Sequence, residues 1–526
     1  MPKVRLLDSV DENLKHPNEN IQKAAGFALA ELTRAYLPVR ENGPSERLQS
    51  RVVDKYIKLV SSSVNPAETR GYALALGSLP KKLLAPSAQV LSSVLQCLIL
   101  ATRFDATVGK HPDAETRRNA IRALESVADE VGLKASTAPP AVGLCTQQLR
   151  QVCECFILGL QDYNTDRRGD IGSWSRIASM SGLGHMIFIA VDNDVKIELE
   201  VMTRIIGGLL KQLSEKLDNV RSHAGSCLEE ILQSECPYIT GLSFHDDLCQ
   251  SLQVGRETNW SDATVSFRRV VKALDIPQFF HFIVSGLVVS VGALTESVTK
   301  EAEEALIAWI REKDANGARV SGRVKQLGLS LLRLFREHHR KGRVILPLLK
   351  TLEKLFNRGL MDALLTLTDM KFASSLLGCI RAETRGCGDI HRLLSAVGVA
   401  LGLLSQLNEM GQNCDILMFV MEMLDHEFPR VRKYAADNLY VRLLEEPSVL
   451  PKQDNIDDVF DLLLMGQWQS DTVGENNITC SCVKVAKLMG VEFTPPLTRG
   501  VEAKRVAGPP KDDFASYASL VNATLT

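Results

Sequence analysis

The chain has 526 residues, 45% of them hydrophobic but only 6% aromatic, and its 61 lysines and arginines against 63 acidic residues give a formal charge of −2. That length is too great for one hydrophobic core, and that apolar content is too high for a disordered chain. The near-neutral balance excludes a global basic field for nucleic acid, and an apolar content dominated by Leu, Val, Ala and Ile favours helix packing over β-sandwiches.

From the N-terminus, Met1-Pro2-Lys3-Val4-Arg5 runs straight into an amphipathic pattern with no targeting segment visible. A short phrase then recurs, made of a turn, a basic residue, and small and large apolar residues at helical spacing. It reads Lys23-Ala24-Ala25, Arg70-Gly71, Arg117-Arg118, Arg221 and Arg432-Lys433, each followed by apolar positions. The first three basic residues are 47 positions apart, within the ~40–47 residues of a HEAT or armadillo unit. Turns rich in helix-initiating residues precede the phrases: His16-Pro17-Asn18, Asn65-Pro66, His111-Pro112-Asp113, Asp218-Asn219 and Pro429. No sustained alternation bounded by hairpin turns appears. The pattern predicts an all-α, HEAT/armadillo-like helical repeat solenoid, an α-α superhelix in which each helix pair buries its face only by stacking.

Residues 1–239 are predicted to be HEAT-like repeats. Within them Asp162 to Arg176 packs charges, glycines and Trp174 into one repeat turn. Two readings are open. In one, Asp170 caps a helix, Arg167 or Arg168 pairs with the next unit and Trp174 fills the core. In the other, Arg167, Arg168, Asp170, Trp174 and Arg176 form an exposed interaction hot spot. Residues 240–277 are longer, more polar and poor in helical rhythm, the signature of an insertion between repeats. Residues 278–493 resume the repeats. The apolar runs Phe279–Leu294 and Leu393–Leu407 fall short of ~20 residues and contain Ser or Gly, so they read as buried helices rather than membrane spans. The cluster Arg336 to Arg343, with Arg340, Lys341 and Arg343, reads as a solvated turn or as a dock for an acidic partner tail. From Thr494 to Thr526 the Pro- and Gly-containing tail reads as flexible.

Catalytic signatures are absent: no phosphate-binding Gly-Lys loop, no His-Glu-x-x-His and no Gly-x-Ser-x-Gly. The 12 cysteines include Cys153/Cys155 and Cys480/Cys482 but no Cys-x-x-Cys pair, so they read as reduced thiols. No cofactor, metal or catalytic residue is expected.

Asp166-Arg167-Arg168-Gly169-Asp170-Ile171-Gly172-Ser173-Trp174, with Arg176, resembles a signature of the tubulin-folding cofactor D family. In the same order follow Asn259-Trp260 with Phe267, the phrase Gly286 to Ser297, and Pro347 to Leu352, while Ala73 to Pro80 and Ala114 to Ala120 resemble family phrases upstream. Trp260 joins the candidate interaction residues on this ground. The family is longer, extending before Met1, so the resemblance implies the C-terminal half. It further implies a chaperone that binds β-tubulin and works with cofactors C and E and an ADP-ribosylation-factor-like small GTPase. Together they assemble, and also take apart, the αβ-tubulin heterodimer. GTP hydrolysis by tubulin, stimulated by the cofactors jointly, would release it. The implied location is cytoplasmic, associated with the microtubule cytoskeleton. Outside that family, the repeats suit a generic adaptor for another complex, or an activator in which Arg168 serves as an arginine finger.

Overall fold

The computed structural model describes residues 2–36, 46–104, 112–133, 143–293, 295–312, 318–361, 371–404, 410–469 and 475–494. The chain divides into two compact units, one running from Met1 to Phe282 and the other beginning at Ile283.

In the first unit α1 (Pro2–Leu14), α2 (Glu19–Tyr36), α3 (Glu46–Ser62) and α4 (Pro66–Ser78) precede a short α5 (Lys81–Leu84). Then come α6 (Ala88–Ala101), α7 (Ala114–Val131), α8 (Thr146–Gly159), α9 (Gly172–Asp192), α10 (Leu199–Leu213) and α11 (Asp218–Leu232). Helices pair in sequence, α1 with α2, α3 with α4, α6 with α7, α8 with α9 and α10 with α11. The second helices pack on one another in a row, α2 on α4 on α7 on α9 on α11, and α3, α6, α8 and α10 make the other row. This two-layer stack is the helical-repeat architecture that the 47-residue spacing predicts.

The recurring phrase has a physical explanation. Turn residues start α4 and α7: Asn65 accepts from the Ala67 amide at 3.0 Å with Pro66 in the first turn, and Asp113 accepts from the Thr116 amide at 2.7 Å. Lys23 pairs within its own helix with Glu19 at 2.7 Å, but the later basic residues reach into the next repeat. Arg70 pairs with Asp113 at 3.1 Å, Arg117 with Asp162 at 2.7 Å, and Arg221 donates to the Ser261 carbonyl at 2.7 Å. Arg117 and Arg221 also hold their own turns, through the carbonyls of Pro112 and of Glu215 and Lys216. Small residues let the helices close up. At Gly71 a Cβ would lie 1.7 Å from the Leu14 carbonyl oxygen, so no side chain fits there.

Residues 240–277, read as an insertion between repeats, follow a short α12 (Pro237–Thr240) and carry α13 (His245–Leu252), α14 (Ala263–Val270) and a 3-10 turn at Val271–Asp275. They pack against α10 and α11, with Phe244, Trp260 and Phe267 buried. The rings of Phe244 and Phe279 meet edge to face at 4.9 Å. With only eight residues each, α13 and α14 are too short to show a helical period.

The boundary between units falls within α15 (Phe280–Val291). The second unit continues with α16 (Glu296–Arg311), α17 (Ala318–Glu337), α18 (Gly342–Asn357), α19 (Lys371–Thr384) and α20 (Ile390–Leu404). It ends with α21 (Met410–Leu424), α22 (Pro429–Glu445), α23 (Ile456–Met465) and α24 (Glu475–Met489). Here too α18, α20 and α22 form one row and α17, α19, α21 and α24 the other. Arg432 repeats the device of the first unit, donating to the Trp468 carbonyl at 3.0 Å and to its own turn at His426 and Glu427. The described parts of both apolar runs, 279–293 and 393–404, are largely buried helix, and among the described residues no helix is long and apolar enough to cross a membrane. Of the tail predicted from Thr494, only Thr494 lies among the described residues.

Candidate interaction site

The segment between α8 and α9 is built around two buried arginines. Residues Thr165–Asp166 and Gly169–Asp170 pair as a two-residue antiparallel hairpin, closed through Gly169 at φ +99°. The chain then turns sharply into α9 at Gly172, where a Cβ would sit 2.3 Å from the Asp162 carbonyl oxygen. Asp170 accepts from the Ser173 amide in the first turn of α9 at 3.1 Å, and its carboxylate pairs with Arg176 at 3.1 Å. Arg176 is 0% exposed, donates to the Asp162 carbonyl at 2.8 Å and lies 4.3 Å above the Tyr163 ring. Burial alone would lower its pKa, but the charges of Glu215 and Asp170 outweigh that and raise it. Arg117, from the preceding repeat, closes the cluster on the buried Asp162 carboxylate. Asp170 and Arg176 therefore hold the turn together.

What faces out is narrower. Arg167 and Arg168 are exposed, and Trp174 is half-buried between two guanidinium groups, Arg168 at 4.9 Å and Arg118 at 5.7 Å from its ring. Arg168 is braced by Asp166 at 2.7 Å and by Glu115 of the preceding repeat, while Arg118 pairs with Glu19 at 2.8 Å. These carboxylates raise the Arg168 pKa. The Arg168 hydrogen bond in turn holds Asp166 below its usual range. Burial pushes Glu115 up, yet the hydrogen bond from Arg168 and the charges of Arg70 and Arg168 leave it lowered. The result is a half-buried ring with two guanidinium groups over it, each held by carboxylates, so few rotamers are left to freeze on contact.

The remaining candidates sit elsewhere. Trp260 is 3% exposed, its indole lies on Gly225, and its Nε1 donates to Glu229 at 3.1 Å, so it fills the core of the first unit. Arg340, Lys341 and Arg343 lie at the α17–α18 turn of the second unit. Arg340 has φ +61°, and its amide donates to the buried Glu383 at 3.0 Å, beside His339 Nδ1 at 2.7 Å from the same carboxylate. Arg340 and Lys341 are exposed and Arg343 half-buried. Sequence reading missed Glu115, Arg118, Asp162 and Glu383. The first two lie inside family-like phrases, and their 47-residue offset from Glu68 and Gly71 was the signal that places them at the inter-repeat face.

Burial drives the Cys153 and Cys155 thiols up to about 12 and about 11, which keeps them protonated and inert. No group of three metal-ligating side chains occurs among the described residues.

Fold and site define a helical-repeat protein with an arginine–tryptophan surface in its first unit. Residues 203–392 match the family described as tubulin folding cofactor D C terminal. A Dictyostelium discoideum protein described as tubulin-specific chaperone D is 24% identical over 477 residues, covering 82% of this chain and 31% of that protein. The chain is thus similar to tubulin-folding cofactor D, as its motifs indicate, and spans about a third of the length of that relative. Among solved structures, Kap121p bound to Pho4p is 12% identical with a TM-score of 0.32, covering 99% of this chain and 47% of that one. An engineered protein is 14% identical with a TM-score of 0.28, covering 92% and 98%. The fold assignment rests on the stacking of helix pairs and not on these two likenesses.

Proposed function

We propose that this chain is a tubulin-folding cofactor, a protein-binding chaperone that acts without covalent chemistry. Its client is β-tubulin, and it takes part in assembling and disassembling the αβ-tubulin heterodimer with cofactors C and E and an ADP-ribosylation-factor-like small GTPase. The observation that carries this reading is the match of residues 203–392 to the cofactor D family, joined to the chaperone relative that aligns along most of the chain. The mechanism is mass action: a surface that favours the assembly-competent form of tubulin shifts the population toward it. In the first unit, Arg167, Arg168 and Trp174 are the side chains offered to that client; in the second, Arg340, Lys341 and Arg343. Any stimulation of GTP hydrolysis belongs to the joint complex, and Arg168, already committed to two carboxylates, contributes binding and not a finger. The setting is the cytoplasm, in association with microtubules.

A pull-down of purified chain with β-tubulin at low salt tests the reading. Retention is expected. A chain shown to be helical by circular dichroism that retains no tubulin contradicts it.

A further inference from the structure

A seam between α22 and α23 in the second unit carries apolar side chains that stand in solvent. Leu444 on α22 is 52% exposed, and Leu464 and Met465 on α23 are 55% and 79% exposed. The two helices meet where the rings of Tyr440 and Phe460 lie edge to face at 5.2 Å. Leu444 is one turn beyond Tyr440 and Leu464 one turn beyond Phe460, so the four side chains line one seam. Core packing does not account for the exposed members, because α23 already anchors itself through Val459 and Leu463, each 1% exposed.

The rim of the seam is acidic. Asp457, Asp458 and Asp461 are exposed, and no cation pairs with them among the described residues. The first two occupy the opening turn of α23, where the helix dipole favours negative charge. Asp461 has no such reason; it sits mid-helix, one turn before Leu464 and Met465, so the acid runs into the apolar seam.

We infer that this seam is a docking surface for a basic amphipathic segment of another protein. Its apolar residues cover Leu444, Leu464 and Met465 while its lysines or arginines meet Asp457 and Asp461. Charge complementarity selects that occupant. A second copy of this chain, docking by two-fold symmetry, would set the same aspartates against themselves. The flexible thioether of Met465 adapts to a partner surface. The inference is independent of the tubulin reading and stands or falls separately.

The probe is a fluorescein-labelled helical peptide of about 18 residues built from Leu and Lys, so that it spans both helices, read by anisotropy against the full chain. Its counterpart carries Glu in place of Lys. The Lys peptide is expected to saturate, and the Glu peptide to bind roughly ten-fold more weakly or less. Affinity for the Lys peptide is expected to fall by at least roughly ten-fold in Leu464→Ser/Met465→Ser. The fall is expected to be similar in Asp457→Asn/Asp461→Asn, which also flattens the salt dependence. Circular dichroism checks that these exposed substitutions leave the fold intact. Equal binding of both peptides, or binding that ignores the substitutions, overturns the inference. So does a dimer that Leu464→Ser/Met465→Ser dissociates, since the occupant is then a second copy. Tighter peptide binding after deletion of residues 495–526 also overturns it, because the chain's own tail then fills the seam.

Discussion

The arginines of the recurring phrase differ in what their loss exposes. Arg117 and Asp162 are both buried, with side chains 4% and 0% exposed. Replacing Arg117 by Met leaves a carboxylate inside the protein without its partner, which costs about 3–5 kcal/mol. The expected result is a lower urea midpoint for the first unit. Arg168 is half exposed, so water screens its pairs with Asp166 and Glu115. Arg168→Ala is expected to change stability by less than about 1 kcal/mol. The two carboxylates nonetheless give that pair a pH signature. Their pKa values are lowered in the folded chain. The stability they supply is therefore present above the usual carboxylate range and lost as the pH falls through the lowered values. The gap in stability between wild type and Arg168→Ala should narrow as the medium is acidified, and a gap that widens contradicts the pairing. A charged residue in a sequence reads naturally as surface, and a tryptophan in a family-like phrase carries no sign of which way it faces. Burial of Arg176 and Trp260 was illegible for that reason: it depends on Tyr163, Glu215, Gly225 and Glu229, which only the fold brings near.

Among the elements, the long second helices of the repeats were legible because caps, basic residue and apolar stripe coincide at one spacing. Asn65, Asp113 and Pro429 start their helices where the turns predict. The hairpin between α8 and α9 was not legible, since its strands are two residues each and no period forms in that length. Its tight turn makes Gly172→Ala a severe substitution. A methyl group at 2.3 Å from the Asp162 oxygen must displace the hairpin or the start of α9, at about 1–3 kcal/mol. A lower melting temperature, with a smaller drop than Arg117→Met gives, is the expected readout. In the second unit Glu353 reaches over Gly398 to the Tyr434 hydroxyl at 3.5 Å. Burial raises the pKa of this carboxyl, against weaker opposing effects of Tyr434, Lys350 and Lys354. A raised carboxyl opposes folding at neutral pH and ceases to do so as the pH falls through its folded value. Glu353→Gln should therefore raise the melting temperature at pH 7 and have less effect in acid.

For the molecule as a whole, composition excluded more than it assigned, and the repeat period supplied the fold class. The period says nothing of the client. That reading comes from phrases such as Asp166 to Trp174, from the family match over residues 203–392 and from the chain's similarity to a tubulin-specific chaperone D. The physical content of those phrases divides cleanly. Asp170, Gly172 and Arg176 build the turn, and Arg167, Arg168 and Trp174 are what the turn presents. Sedimentation velocity of the full chain with tubulin, comparing wild type with Arg168→Ala/Trp174→Ala, tests the proposal most directly. A complex that forms with wild type and weakens by roughly ten-fold or more in the doubly substituted chain, at unchanged helicity, is the predicted result. No complex with wild type, or one that both chains form equally well, would contradict it.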